Sequence, residues 1–303
     1  MLELLGVTWE HERGWGGLRA AAAAYGELRP EVRVTWETRS LQAFAHQTVE
    51  ELVRYDLIVL DHPAIGAAVA HGALVPLDDH LDEALFREQR TSSVGRSFDS
   101  YTWEGHQWAL PVDAAAQVAA YRPDLLERAG VEVPVTWDDV VHQAAAMREL
   151  DLWMAMPAIP VDAICAFLGI SGAPFEGDHV VERGTGRRAL TILRDVIDVG
   201  HPMSLVSNPP TVLAAMGEHD DIAYSPLAFG YVRVAREGSA PHALRFAPGP
   251  EMSGSLGGAG IAVSSDAEHV EEACAYASFV CSPDVQRGVY VQAGGQPGHR
   301  AAW

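Results

Sequence analysis

Ala109-Leu-Pro-Val-Asp113, followed by Ala-Ala-Ala-Gln117-Val-Ala-Ala-Tyr121-Arg-Pro-Asp124-Leu-Leu-Glu-Arg-Ala-Gly130, decides how the rest of the chain is read. It reads as a strand that reaches a polar residue, a second short strand, and then a helix closed by glycine. Pro134-Val-Thr-Trp137-Asp-Asp139 comes just after it.

Upstream of this stretch, strands and helices alternate in the manner of an open α/β lobe. Leu2 to Trp9 is expected as strand, Gly16 to Leu28 as helix, and Glu31 to Trp36 as a strand with apolar residues at alternate positions. Leu41 to Arg54 reads as a helix, and Tyr55-Asp-Leu-Ile-Val-Leu60 is an apolar run suited to a central parallel strand, ended by Asp61-His62-Pro63. In open α/β sheets ligands collect beyond the carboxyl ends of the strands. Trp9-Glu10-His11, Glu37-Thr38-Arg39 and Asp61-His62 should therefore point toward one crevice.

Downstream, helices are expected around Trp137 to Leu150 and Gly186 to Val199, with Ser204 to Pro210 as loop. Thr211 to Met216 starts a helix that leads into the strand Asp221 to Tyr224 and the turn Ser225-Pro226, with Phe229-Gly-Tyr231 close by. The chain returns through Ala243 to Pro248 and the glycine-rich Gly254 to Gly260 to a strand at Ile261 to Ser264. Glu268 to Cys281 reads as helix, and Ser282-Pro-Asp-Val-Gln286 starts another.

Composition removes whole classes of function. At 303 residues, 48% hydrophobic and 20% charged, the chain suits two lobes of roughly 100 to 150 residues each. A formal charge of −20 repels phosphate backbones and anionic bilayers, so nucleic acid is not an expected partner. All 21 basic residues are arginine. Without lysine, Schiff-base chemistry and the phosphate-loop mechanism are closed, and the glycines of 254–260 precede a strand instead of a helix. Cys165, Cys274 and Cys281 show no metal-ligand spacing and read as buried thiols; neither a metal nor a cofactor is implied. G-x-S-x-G is absent, and no apolar tract is long enough to span a membrane. Met1 opens directly into the first strand with no secretory signal, which favours a cytoplasmic protein; the alternative is an exported one whose signal peptide is not in the sequence.

The stretch around Asp113, with Thr136-Trp137-Asp138-Asp139, the helix after the Gly254–Gly260 strand and the late Gly294-Gly-Gln-Pro-Gly-His-Arg300, resembles the extracellular solute-binding proteins of sugar-importing ABC transporters. That resemblance covers nearly the whole chain. It implies a two-lobe α/β architecture of the periplasmic-binding-protein type II, with residues 1–112 and 255–303 in one lobe and 113–254 in the other. The chain would then cross twice between lobes, near Asp113 and again through Ala243–Pro248 and Gly254–Gly260. It also implies a monomer that closes by hinge bending on a small polar solute, a carbohydrate or polyol, and an ABC permease as partner if the protein is exported. Relatives carry further helices beyond the point that corresponds to Trp303.

Binding sites for neutral polyols combine aromatic faces with carboxylates that accept hydroxyl hydrogens. Trp9, Glu10, His11, Arg39, Asp61, His62, Asp113, Tyr224, Phe229 and Tyr231 supply that mixture, Asp113 being selected both by the resemblance and by its place at a strand end. Each aromatic equally suits lobe-core packing. Glu10-His11-Glu12 reads as a solvated loop, and Arg13 and Arg39 as strand-end arginines that either face solvent or clamp a carboxylate or phosphate. A competing reading is a cytoplasmic enzyme on the same scaffold, with an acid/base set drawn from His11, His62, Asp61 and Asp113.

Overall fold

Strand β1 (Leu2–Trp9) leads into helix α1 (Glu12–Leu28), which opens four residues before the expected Gly16 because His11 caps it. The His11 ring Nδ1 accepts the backbone N–H of Arg13, and Glu12 adds an acidic group at the positive end of the helix dipole. Strands β2 (Val32–Arg39) and β3 (Leu57–Leu60) follow. After them come helices α2 (Ile65–Ala70) and α3 (Glu83–Ser92) and a small hairpin, β4 (Thr102–Trp103) with β5 (His106–Gln107). The computed structural model describes residues 1–40, 43, 48, 51–172 and 180–303, so most of the helix expected over Leu41 to Arg54 lies outside the described residues.

Strand β6 is continuous over Leu110–Tyr121, where two short strands were expected around Asp113. Helix α4 (Pro123–Ala129) begins on proline and ends at Gly130, whose φ of 65° is left-handed and suits glycine. Helix α5 (Trp137–Arg148) opens with a reciprocal capping box between Thr136 and Asp139, an arrangement that contributes about 1 kcal/mol. Strand β7 (Trp153–Met154) and helices α6 (Pro160–Ser171) and α7 (Arg183–Val199) come next. The expected loop at Ser204 to Pro210 is instead a 3-10 turn, Pro202–Val206, and the start of helix α8 (Pro209–Glu218), capped by Asn208. Strands β8 (Ile222–Phe229), β9 (Arg245–Ala247) and β10 (Leu256–Val263) precede helix α9 (Val270–Cys281).

These elements form two units, Met1–Ala114 with Gly257–Trp303, and Ala115–Leu256. In the first, the sheet order is β2-β1-β3-β10-β6. Strands β1, β2 and β3 are parallel, with Trp9 opposite Arg39, while β10 is antiparallel to β3, with Gly260 opposite Leu60. The carboxyl ends of β1, β2 and β3 therefore share one edge, and β10 enters the unit at that edge. Residues of β3 alternate between two cores: Leu57 and Val59 pack with α1 and α9, Ile58 and Leu60 with Ile65, Ala68 and Tyr101. Burial on both faces is why this strand is an unbroken apolar run.

In the second unit the order is β9-β6-β8-β7. Gln117 lies opposite Phe229 and Tyr121 opposite Tyr224 in the antiparallel β6–β8 pair, and β7 runs parallel to β8. Phe229 and Gln117 thus stand at one edge, toward which β7 also points from its place opposite Ile222–Tyr224; at this edge the chain enters the unit at Ala115, and Ser255, bonded to the Gln117 backbone N–H at 2.9 Å, precedes its exit. Ala243 to Pro248 is not part of that passage, because β9 pairs with β6 inside the unit. The glycines from Gly257 to Gly260 belong to strand β10 itself.

Just before the exit the backbone is strained. Glu251 and Met252 hold φ of 53° and 58°, and Gly254 holds 152°. A Cβ on Gly254 would stand 2.5 Å from the Gln117 carbonyl oxygen. Gly254→Ala is therefore expected to destabilise the protein by roughly 2 kcal/mol, a fall of about 4–8 °C in melting midpoint for a unit of this size, measured by differential scanning calorimetry.

Candidate functional site

At the strand-end edge of the first unit, Trp9 closes β1 with 5% of its surface exposed, and its indole lies over the first turn of α1. A Cβ on Gly14 would come within 2.4 Å of that ring, so the close approach requires glycine. Glu10 is exposed, and its backbone N–H donates to the Arg39 carbonyl at 2.7 Å. The solvated-loop expectation holds only for Glu10, since His11 is the helix cap and Glu12 the first helical residue.

Arg13 is neither a loop residue nor a surface one. It stands in the first turn of α1, 8% exposed, and forks onto Asp113, which is 1% exposed. Nε donates to Oδ2 at 2.7 Å and Nη2 to Oδ1 at 2.5 Å. Asp113 thus sits at the expected edge with both carboxylate oxygens engaged by an arginine of its own unit. Fork-to-carboxylate bonding of this type combines charge with fixed geometry.

Asp61 follows β3 at the same edge. Burial among protein atoms raises its carboxyl to about 7, the Asp113 carboxylate pushes the same way, and the Arg13 and Arg39 guanidinium groups push back. Its side chain keeps an exposed surface, so water screens part of this effect. Arg39 donates from Nη2 to the Val59 carbonyl at 3.0 Å, and burial lowers its pKa against the pull of Asp61. His62 is half-buried, with its Nδ1 buried and without a hydrogen-bond partner among the described residues. Burial lowers its pKa, and its ring meets Tyr101 edge-on at 6.3 Å. Of the four proposed acid/base residues, His11 is engaged as a cap and Asp113 as an ion-pair partner, whereas Asp61 and His62 follow one another at the end of β3.

In the second unit, Phe229 and Tyr231 are half-buried at or just beyond the end of β8. Tyr224 is 0% exposed and packs in the core with Trp137 and Met154; burial raises its phenol and leaves the hydroxyl without a partner among the described residues. For this aromatic the core-packing alternative describes the observed placement. Asp162, which the sequence reading missed, lies in the first turn of α6, beyond the end of β7. It is 6% exposed, its buried Oδ2 has no hydrogen-bond partner among the described residues, and burial raises its carboxyl to about 6. An aspartate in a first helical turn is commonplace, so nothing in the sequence marked it. One turn further, the Cys165 carbonyl accepts the Ser255 hydroxyl at 3.0 Å, which ties α6 to the chain about to leave the unit. Cys165 is half-buried, while Cys274 and Cys281 are 1% exposed and burial raises both thiols.

Among the described residues, Asp78, Asp79 and His106 bring potential metal ligands within 4.8 Å of one another. The Asp78 oxygens already meet the Gln107 backbone N–H and the His106 ring, each at 2.9 Å, which makes the group a cross-link of the β5 segment. No helix among the described residues is long and apolar enough to cross a membrane.

Residues 17–299 match the family of bacterial extracellular solute-binding proteins, and the chain belongs to that family. Its fold is that of the two-lobe, type II periplasmic-binding proteins. A solute-binding protein of Thermotoga lettingae bound with α-D-tagatose is similar at 16% identity and a TM-score of 0.82, over 100% of this chain and 83% of that one. One from Agrobacterium radiobacter in complex with ribitol is similar at 18% identity and 0.82, over 99% and 81%. The GacH receptor of Streptomyces glaucescens, solved unliganded and with acarbose, gives 17% identity and 0.79, over 99% and 81%.

Two stability measurements follow. Arg13→Met leaves Asp113 buried without its cation and is expected to cost about 3–5 kcal/mol in denaturant unfolding, whereas Arg13→Met with Asp113→Leu should recover most of that loss. For Asp162 the folded-state pKa lies above its unfolded value near 3.8, so the folded form loses stability as pH rises from about 4 to about 6 and stays lower above that. Asp162→Asn should therefore be more stable than the parent by roughly 1–3 kcal/mol near pH 8, and the gap should close near pH 4.

Proposed function

We propose that this protein is a solute receptor that takes up a carbohydrate or polyol, with an ABC permease as its partner. The observation that carries the reading is that in each unit the candidate polar and aromatic side chains stand at the edge from which the chain passes to the other unit. In the first unit these are Trp9, Glu10, His11, Arg39, Asp61 and His62, at or just beyond the carboxyl ends of parallel strands, and Asp113, which lies within β6 and meets this edge through Arg13. In the second they are Phe229 and Tyr231, after β8. Tyr224 would serve by supporting this edge from the core behind it.

The chemistry suits a polyhydroxylated ligand. Half-buried rings offer apolar faces to a sugar ring, and carboxylates with raised proton affinity accept hydroxyl hydrogens at modest desolvation cost. The Arg13–Asp113 pair supports the role of Asp113 as a positioned acceptor, since a carboxylate oxygen holds more than one hydrogen bond. Family membership supports the same function, and the family's description as extracellular favours the exported alternative over the cytoplasmic one. Ligand closure would bend the two passages at Ala114–Ala115 and Leu256–Gly257.

Isothermal titration calorimetry of the purified protein against D-tagatose, D-glucose, maltose, D-mannitol and ribitol tests the reading. At least one is expected to bind at micromolar or better affinity, and Asp61→Ala to weaken it by about 10-fold or more. A folded protein that binds none of the panel would overturn the proposal.

A further inference from the structure

Asp162 is a buried carboxyl of the second unit that no described residue compensates. It occupies the third position of α6, a helix of 12 residues that starts at Pro160. An acidic residue there interacts favourably with the helix dipole, but that benefit needs no burial, and an exposed aspartate obtains it without losing water. Asp162 is instead 6% exposed, and its Oδ2 faces no donor among the described residues. Burial raises its carboxyl, with neither an anion nor a cation among the described residues contributing. Natural proteins tolerate an uncompensated buried carboxylate where something else supplies its partner.

Position says what that partner is. β7 ends opposite Tyr224 and points along β8, so the five residues 155–159 carry the chain toward the level of Phe229 and Gln117, where α6 starts and where Ser255 meets its second turn; Asp162 belongs to that edge. The helix is held there along its middle and second half: Ser255 donates to the Cys165 carbonyl at 3.0 Å, and a Cβ on Gly169 would meet Gly254 and Gln117 at about 3 Å. A lone carboxylate offers too few oxygens for a calcium or magnesium ion, which needs several. It does suit a single ammonium group. With 41 acidic against 21 basic residues, the chain as a whole attracts cations and repels anions.

We propose that the solute carries a protonated amine and that Asp162 is its counter-ion, so that the ligand class is an amino sugar or amino polyol. This rests on the carbohydrate reading above and narrows it. The half-buried rings of Phe229 and Tyr231 at the same edge complement such a ligand, since an aromatic face attracts both the sugar's C–H surface and a neighbouring cation.

The test is calorimetry near pH 7 with the full chain and matched pairs: D-glucosamine against D-glucose, D-galactosamine against D-galactose, and 1-amino-1-deoxysorbitol against sorbitol. In at least one pair the amine should bind about 10-fold or more tightly than its neutral parent, the advantage expected of a desolvated charge-assisted hydrogen bond. Asp162→Asn should bring that ratio to about 1 while its melting curve shows an intact fold. If neutral sugars bind and no amine is preferred, or if Asp162→Asn keeps the preference, the inference fails and the carbohydrate reading stands. If neither set binds, both fall together.

Discussion

The first unit is organised around one buried ion pair. Arg13, carried by the first turn of α1, donates two hydrogen bonds in a fork to Asp113, carried by β6 next to the unit's last residue before the crossing. Neither could be buried alone, because an uncompensated charge in such surroundings costs several kcal/mol. Pairing them fixes where α1 begins relative to β6, and so where Trp9 and His11 stand. The segment after α9, with the C-terminal glycine-rich loop, holds the same strand from another side. Gln296 donates to the Ala114 carbonyl at 2.7 Å, Gln286 to Val112 at 3.3 Å, and a Cβ on Gly298 would lie 2.1 Å from the Pro111 oxygen.

Much of this arrangement is legible in the sequence where local physics decides it. The apolar run ending in Asp61, the glycine at the end of α4 and the Thr136–Asp139 box depend on near neighbours, and their periodicity and capping chemistry announce them. Features that depend on distant partners are not. Arg13 and Asp113 are 100 residues apart, so nothing local distinguishes a buried arginine from a solvated one. Proline at 209 and 210 suggests a loop when read alone, yet it starts α8 once Asn208 turns inward to cap the helix. Asp162 escapes for the same reason: its burial comes from tertiary packing, and a first-turn aspartate looks ordinary.

The two candidate edges differ in kind. In the first unit, charges are numerous and compensate one another, with Arg13 and Arg39 offsetting the mutual repulsion of Asp61 and Asp113. The second unit instead presents half-buried rings and a carboxyl left uncompensated by the described residues. Its exit also carries backbone strain. Glu251 and Met252 are held in left-handed conformations by the bond from the Glu251 N–H to the Val135 carbonyl at 2.7 Å, and by the Trp137 indole donating to Ser253 at 3.2 Å. A segment over-determined in this way keeps its shape while flanking residues flex.

The distribution of the thiols gives the molecule a built-in handle. Two of its three thiols are sealed inside α9's packing face and hold their protons tightly, leaving the half-buried Cys165 as the thiol open to an electrophile in water. That sulfur is three residues along α6 from Asp162, and its own carbonyl is bonded to the chain at the crossing. A maleimide dye would accordingly attach at a single place, beside the orphan carboxyl, and its emission would register the arrival of a guest without any engineered cysteine.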